Sequence, residues 1–247
     1  MNSGAGRPDE MVLVHGAWHG GWCWQRVVER MATTGSYRTW TPTLRGLGSR
    51  RAELTPDAGL RAHVDDVVGL LEGEDLTDVV LVGHSYAGFV VREAADRVPE
   101  RVRGIVMLDA WAGHDGESMA DRAPPWFMDA MRAAAETSGD GWAMPALPAE
   151  VLGVTDPADI AWLAERCTPQ ALLTFTEATR LTGTVESIPH AAIVCHEAGI
   201  PFRAWAEEFG WPVATIDCGH DAMVIDPDGV AKLVDAAAAT FGPARRR

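Results

Sequence analysis

Ser85 sits in the run Leu81-Val82-Gly83-His84-Ser85-Tyr86-Ala87-Gly88, with small residues on either side of it. A strand that ends on small-x-Ser-x-small and gives way to a helix makes a tight turn, because larger side chains would clash where the two backbones approach, and the turn thrusts the serine outward. A serine hydroxyl is a weak nucleophile until a neighbouring base takes its proton. The sequence Cys218-Gly219-His220-Asp221 follows directly on a late strand candidate, so His220 would emerge at the same sheet edge as Ser85. Such an imidazole needs a carboxylate to set its tautomer, expected between serine and histidine in chain order. Asp109, at the end of the strand after the Ser85 helix, and Glu197, at the end of a later strand, both qualify. The backbone N–H groups of Tyr86 and of Ala17, the latter in a glycine-rich turn after the first strand, would hold a developing oxyanion. These residue types in this order point to nucleophilic acyl chemistry.

The elements that must position them are legible as an alternating pattern. Buried-strand runs occur at Met11 to Val14, Arg38 to Leu44, Asp78 to Gly83, Val102 to Leu108, His190 to His196 and Pro212 to Asp217. Between them lie helical patterns: 20–35, from the Thr55-Pro56-Asp57 start through Leu71, from Ser85 to about Arg97, 200–209 and 228–241. Continuous Val/Ile/Leu strands alternating with amphipathic helices predict a parallel sheet covered on both faces. The rhythm breaks after Asp109. Residues 112–187 hold Pro124-Pro125-Trp126, the turn Gly139-Asp140-Gly141-Trp142 and short helical pieces, the composition of an inserted helical cap. The division expected is therefore a core of residues 10–111 and 188–242, interrupted by a cap at 112–187.

Composition narrows the classes further. With 247 residues, 47% hydrophobic and 23% charged, the chain suits one large soluble α/β domain. No run approaches the roughly 18 apolar residues of a membrane span, and the first ten residues resemble neither a secretory nor a transit signal, so the expectation is a cytoplasmic protein with no membrane partner. A formal charge of −14 would repel a phosphate backbone, which argues against a nucleic-acid partner. Cys23, Cys167, Cys195 and Cys218 show no paired spacing, so neither a metal site nor a disulfide framework is expected. Every basic residue except Lys232 is arginine, a usage suggestive of a GC-rich bacterial genome. Oligomeric state is not legible.

Three stretches, VLVHGAWHGGWCW near the start, GHSYAG around Ser85 and GHDAMVIDPDGV at His220, together resemble the α/β-hydrolase superfamily. The likeness lies with the small esterases that include plant methylesterases, hydroxynitrile lyases and their bacterial relatives. It implies an eight-stranded, mostly parallel sheet flanked by helices, a Ser-His-acid triad, ester hydrolysis without metal or cofactor, and a lid over the pocket. In the plant members the triad aspartate follows the late strand; here that position falls on Ala198 or a deletion, so the acid is Asp109 or Glu197. Asp109 is favoured, because Glu197 lies in a shortened loop and must reach with a longer side chain. Asp221 stands where hydroxynitrile lyases carry a cyanide-stabilising lysine, and a carboxylate there disfavours lyase chemistry.

The function expected is a serine hydrolase for a carboxylic ester or related acyl substrate, passing through an acyl-enzyme. The alternatives are a lyase, cyclase or thioesterase of a biosynthetic pathway, or a non-catalytic small-molecule receptor. Trp18, Trp111, Trp126 and Trp142 are the candidates for lining an apolar, aromatic substrate pocket, while His15, His19 and His84 are read as bonding backbone at tight turns.

Overall fold

The structure is a computed structural model that describes residues 9–33, 35–195 and 199–242. Its main sheet contains β1 (Asp9–Val14), β2 (Tyr37–Trp40), β3 (Val79–His84), β4 (Val102–Leu108), β7 (His190–Val194) and β8 (Val213–Thr215). A separate antiparallel ribbon pairs β5 (Ala143–Met144) with β6 (Gln170–Ala171). The order in the main sheet is β2-β1-β3-β4-β7-β8, and every adjacent pair is parallel. Among the described residues this sheet has six strands, matching the six hydrophobic runs and not the eight implied by the resemblance.

Side chains on β1 show why both faces must be covered. Val12 and Val14 enter one core with the helices α2 (Leu60–Gly73) and α3 (Ala87–Arg97), while Met11 and Leu13 enter the other with α1 (Gln25–Ala32) and α10 (Pro227–Ala239). A period of two along a strand sends alternate residues to opposite faces, so a strand buried on both has no polar positions to spare. From β1 the chain moves outward to β2, then crosses back to β3 on the other side, making a topological switch between β1 and β3. Crevices at the carboxyl ends of strands at such a switch are where open α/β sheets bind ligands.

Two of the boundaries that differ from the expected ones have a clear physical cause. Strand β2 stops at Trp40, before Pro42, which has no N–H for a ladder. Helix α2 begins at Leu60 and not at Thr55, because residues 55–58 form a turn closed by Ala58 N–H to the Thr55 carbonyl. Its first turn is capped from a distance: Glu177 Oε2 accepts the Arg61 N–H at 2.9 Å, a favourable place for a carboxylate.

Between β4 and β7 run α4 (Met119–Arg122), α5 (Pro125–Ser138), the β5–β6 ribbon, α6 (Pro157–Arg166) and α7 (Leu173–Thr176). After β7 come α8 (Phe202–Glu208), β8, α9 (Ala222–Ile225) and α10. The four cysteines are free thiols, Cys23 and Cys195 buried, Cys167 and Cys218 half-buried. No helix among the described residues is long and apolar enough to cross a membrane.

Candidate active site

Ser85 leaves β3 with φ of +53°, a left-handed conformation that costs energy for a residue with a Cβ. Neighbouring backbone holds it there. Its N–H donates to the Leu108 carbonyl at 3.1 Å, and its carbonyl accepts the N–H groups of Gly88 and Trp111, each at 3.0 Å. A Cβ on Gly83 would stand 2.9 Å from the Ala87 carbonyl oxygen, and one on Gly88 only 2.1 Å from that of Trp111. Gly88 thus serves the helix–loop contact, whereas the position beside it, Ala87, carries a methyl and is fully buried.

His220, in the loop after β8, places Nε2 2.9 Å from Ser85 Oγ and Nδ1 2.6 Å from Asp109 Oδ2. A carboxylate only accepts, so Nδ1 carries the proton and Nε2 presents its lone pair to the serine hydroxyl. Asp109 leaves β4 with φ of +44°, and its second oxygen accepts the Cys195 N–H at 3.0 Å. The His220 ring lies flat on Phe202, with centroids 5.3 Å apart and planes 6° apart. Its carbonyl accepts from His84 Nε2 at 2.9 Å. Burial, aided by nearby His220, lowers the His84 pKa to about 3, so that ring stays neutral. The competing acid, Glu197, lies outside the described residues.

Buried histidines anchor the segments that carry the two N–H groups expected for an oxyanion. His15 Nδ1 donates to the Gly16 carbonyl at 2.9 Å, while its Nε2 accepts the Leu44 N–H at 3.1 Å. Burial lowers its pKa to about 3, which preserves this neutral arrangement. In a trans peptide N–H and C=O point opposite ways, so a Gly16 carbonyl turned to His15 turns the Ala17 N–H the other way. Tyr86 is fixed through its hydroxyl: His63 Nε2 donates to the Arg45 carbonyl at 2.9 Å, leaving Nδ1 to accept the Tyr86 O–H at 2.9 Å. His63 was not singled out from the sequence, since a lone histidine on a helix carries no signal. No protein acceptor among the described residues takes the Ala17 or Tyr86 N–H.

Ala17, Ser85, Asp109 and His220 open on a cavity of about 230 Å³. Its walls combine six aromatic side chains, Trp18, Trp111, Trp126, Phe127, Phe175 and Phe202, with aliphatic ones such as Met119, Met131 and Leu147. Trp18 and Trp111 are buried, whereas Trp126 is 56% exposed and stands at the mouth. Trp142 is not part of the wall. Its N–H closes the turn onto Gly139 and its carbonyl accepts the Leu172 N–H, so the Gly-Asp-Gly-Trp segment ends α5 and starts the ribbon. The three phenylalanines went unnoticed because nothing local separates a pocket aromatic from a packing one.

The chain matches the alpha/beta hydrolase family over residues 11–233 and belongs to that family. It is an esterase-type member. A carbendazim hydrolyzing esterase from Nocardioides sp. (strain SG-4G) is 36% identical over 240 residues, covering 91% of this chain and 98% of that protein. Methylesterase 10 of Arabidopsis thaliana is 32% identical over 104 residues, 42% of this chain and 38% of that protein. Among solved structures, an extracellular alpha/beta-hydrolase from a Paenibacillus species superposes with a TM-score of 0.82 at 23% identity, covering 93% of this chain and 99% of that one.

Proposed function

We propose that this protein is a serine esterase that cleaves a carboxylic ester or related acyl substrate through a covalent acyl-enzyme. Ser85 Oγ attacks the substrate carbonyl carbon while His220 Nε2 takes the hydroxyl proton, and Asp109 stabilises the resulting imidazolium. The N–H groups of Ala17 and Tyr86 bind the oxyanion. Collapse breaks the bond to the leaving alkoxide, which receives the proton from His220; water, deprotonated by the same imidazole, then releases the acid. The observation that carries this reading is the hydrogen-bonded line Ser85–His220–Asp109, with distances of 2.9 and 2.6 Å.

The substrate class we assign is a small apolar or aromatic ester. A cavity lined by aromatic and aliphatic side chains and the hydrolysis of carbendazim named for the Nocardioides relative support it. Residues 112–187 are proposed to act as the lid, since Met119, Trp126, Phe127 and Phe175 from this segment share the cavity with Ser85.

The test is a fluorophosphonate label followed by mass spectrometry, alongside hydrolysis of a chromogenic short-chain ester. The expected result is one adduct on Ser85, and a loss of about 10⁴-fold or more in kcat for Ser85→Ala. An unlabelled Ser85 with tight ligand binding favours the receptor reading. Turnover that needs His220 but traps no acyl-enzyme favours base-only lyase chemistry.

A further inference from the structure

Behind the oxyanion turn lies a second buried imidazole–carboxylate pair. His19 Nδ1 is 2.6 Å from the Ala17 carbonyl oxygen and Nε2 is 3.2 Å from Asp221 Oδ2. The side chains are 2% and 0% exposed. A carbonyl and a carboxylate both only accept, so both ring nitrogens carry protons and His19 is an imidazolium. Burial opposes that charge, yet Asp221, supported by the Cys167 side chain, holds the His19 pKa well above its ordinary value. Burial opposes the carboxylate likewise, and the charge and hydrogen bond of His19 hold Asp221 below its usual range. Trp22 stacks on the His19 ring at 5.5 Å and His84 meets it edge-on at 6.4 Å.

The pair grips two loops at once. Trp18 has φ of +65°, so the turn at Ala17 is strained for a residue with a side chain. It is held on one side by His15 at the Gly16 carbonyl and on the other by His19 at the Ala17 carbonyl, with the Trp18 N–H donating to Gln170 Oε1 at 2.9 Å. Asp221 directly follows His220, and its own N–H donates to the Leu152 carbonyl at 3.3 Å. His19 and Asp221, 202 residues apart in the chain, therefore join the turn bearing one oxyanion donor to the loop bearing the general base.

We propose that His19 and Asp221 are positioning residues, a buried imidazolium–carboxylate brace that fixes the Ala17 N–H relative to His220 for acyl transfer. The proposal rests on the esterase reading. Neither side chain touches substrate; each acts through the backbone it holds. The brace also accounts for an aspartate beside the catalytic imidazole: its charge is spent on His19.

The test compares His19→Ala, Asp221→Ala, Asp221→Asn and the double alanine variant, with folded sites counted by fluorophosphonate titration. Losing the grip on Ala17 should lower per-site kcat by about 10²-fold, as when an oxyanion donor is lost, with KM held within about threefold. A trifluoromethyl ketone, which forms an oxyanionic adduct on Ser85, should weaken by a similar factor. Asparagine can donate Nδ2–H to a neutral His19 Nε2 while Nδ1–H stays on Ala17, so Asp221→Asn should recover kcat to within about tenfold of the parent. The double variant should lose no more than either single alanine variant. Loss of folded sites with unchanged per-site kcat, or reduced kcat with undiminished inhibitor affinity, overturns the proposal. A direct measurement holds even if the alanine variants do not fold: ¹⁵N shifts of parent His19 at about pH 8 must report both nitrogens protonated, and a neutral ring refutes the brace. A parent that takes no fluorophosphonate sinks the esterase reading instead.

Discussion

Asp109→Asn isolates the part of the site that carries the acid assignment. Asp109 has two acceptor oxygens and both are used: Oδ2 by His220 Nδ1–H at 2.6 Å and Oδ1 by the Cys195 N–H at 3.0 Å. An asparagine offers one acceptor and one donor in the same space. If its oxygen keeps the Cys195 N–H, its amide N–H₂ faces Nδ1, which must then surrender its proton, so the hydrogen moves to Nε2 and points at Ser85. With the amide turned over, N–H₂ meets the Cys195 N–H, two donors face each other at a site 4% exposed, and the carboxylate that would stabilise the imidazolium is gone either way. Triads left in the wrong tautomer lose about 10⁴-fold in kcat, roughly 5.5 kcal/mol of barrier. The assay is steady-state hydrolysis of p-nitrophenyl acetate by Asp109→Asn and, in parallel, Glu197→Gln. Asp109→Asn should fall by about that factor with little change in KM, and Glu197→Gln should stay within about threefold of the parent. The reverse pattern would show that Glu197 is the acid and that Asp109 only anchors Cys195.

Other expectations follow from burial and close approach. Trp126→Ala removes a ring that is 56% exposed at the cavity mouth, so unfolding should hardly change, while KM should rise about three- to tenfold for aryl esters and stay level for short alkyl esters; equal effects on both substrates would remove Trp126 from the pocket. Gly88→Ala drives a methyl to within 2.1 Å of the Trp111 carbonyl and should cost about 3 kcal/mol or more in urea unfolding, whereas Ala87→Gly should cost only about 1 kcal/mol. Burial lowers His15, His84 and His190 to about 3 and His63 to about 4. Below their ordinary value of 6.5 the unfolded chain binds these protons and the folded chain does not, so stability is fully present above that pH and lost as pH falls toward 4. The slope approaches about 1.4 kcal/mol per pH unit for each ring. Thermal unfolding scanned from about pH 7.5 to about pH 5 should show Tm dropping, and a flat profile would contradict neutral buried rings.

The line of six hydrophobic runs and the Ser85 turn were legible because their signals are local. A strand declares itself through continuous Val, Ile and Leu, and a tight strand-to-helix turn through small residues at fixed offsets. The start of α2 was misread for the opposite reason: Thr55-Pro56-Asp57 is a good local cap, but Glu177, brought in from the segment after β6, caps the helix five residues later. Tertiary contact overrode local preference there. Trp142 misled in the same way, since a glycine turn beside a tryptophan is as consistent with ending a helix as with lining a cavity.

For the site, the amino-acid order alone determined that a serine, a histidine and a carboxylate would leave the sheet at one edge, because parallel strands all end on the same side; Ser85 and Asp109 follow their strands directly and His220 lies in the loop after β8. Which groups come within hydrogen-bonding reach was decided only in three dimensions. The 2.6 Å contact of Asp109 with His220, the aromatic wall from Phe127, Phe175 and Phe202, and the ion pair of His19 with Asp221 depend on how strands β1, β3, β4, β7 and β8 lie side by side. Distances across strands are set by sheet order and helix packing, and neither is written in the spacing of residues along the chain.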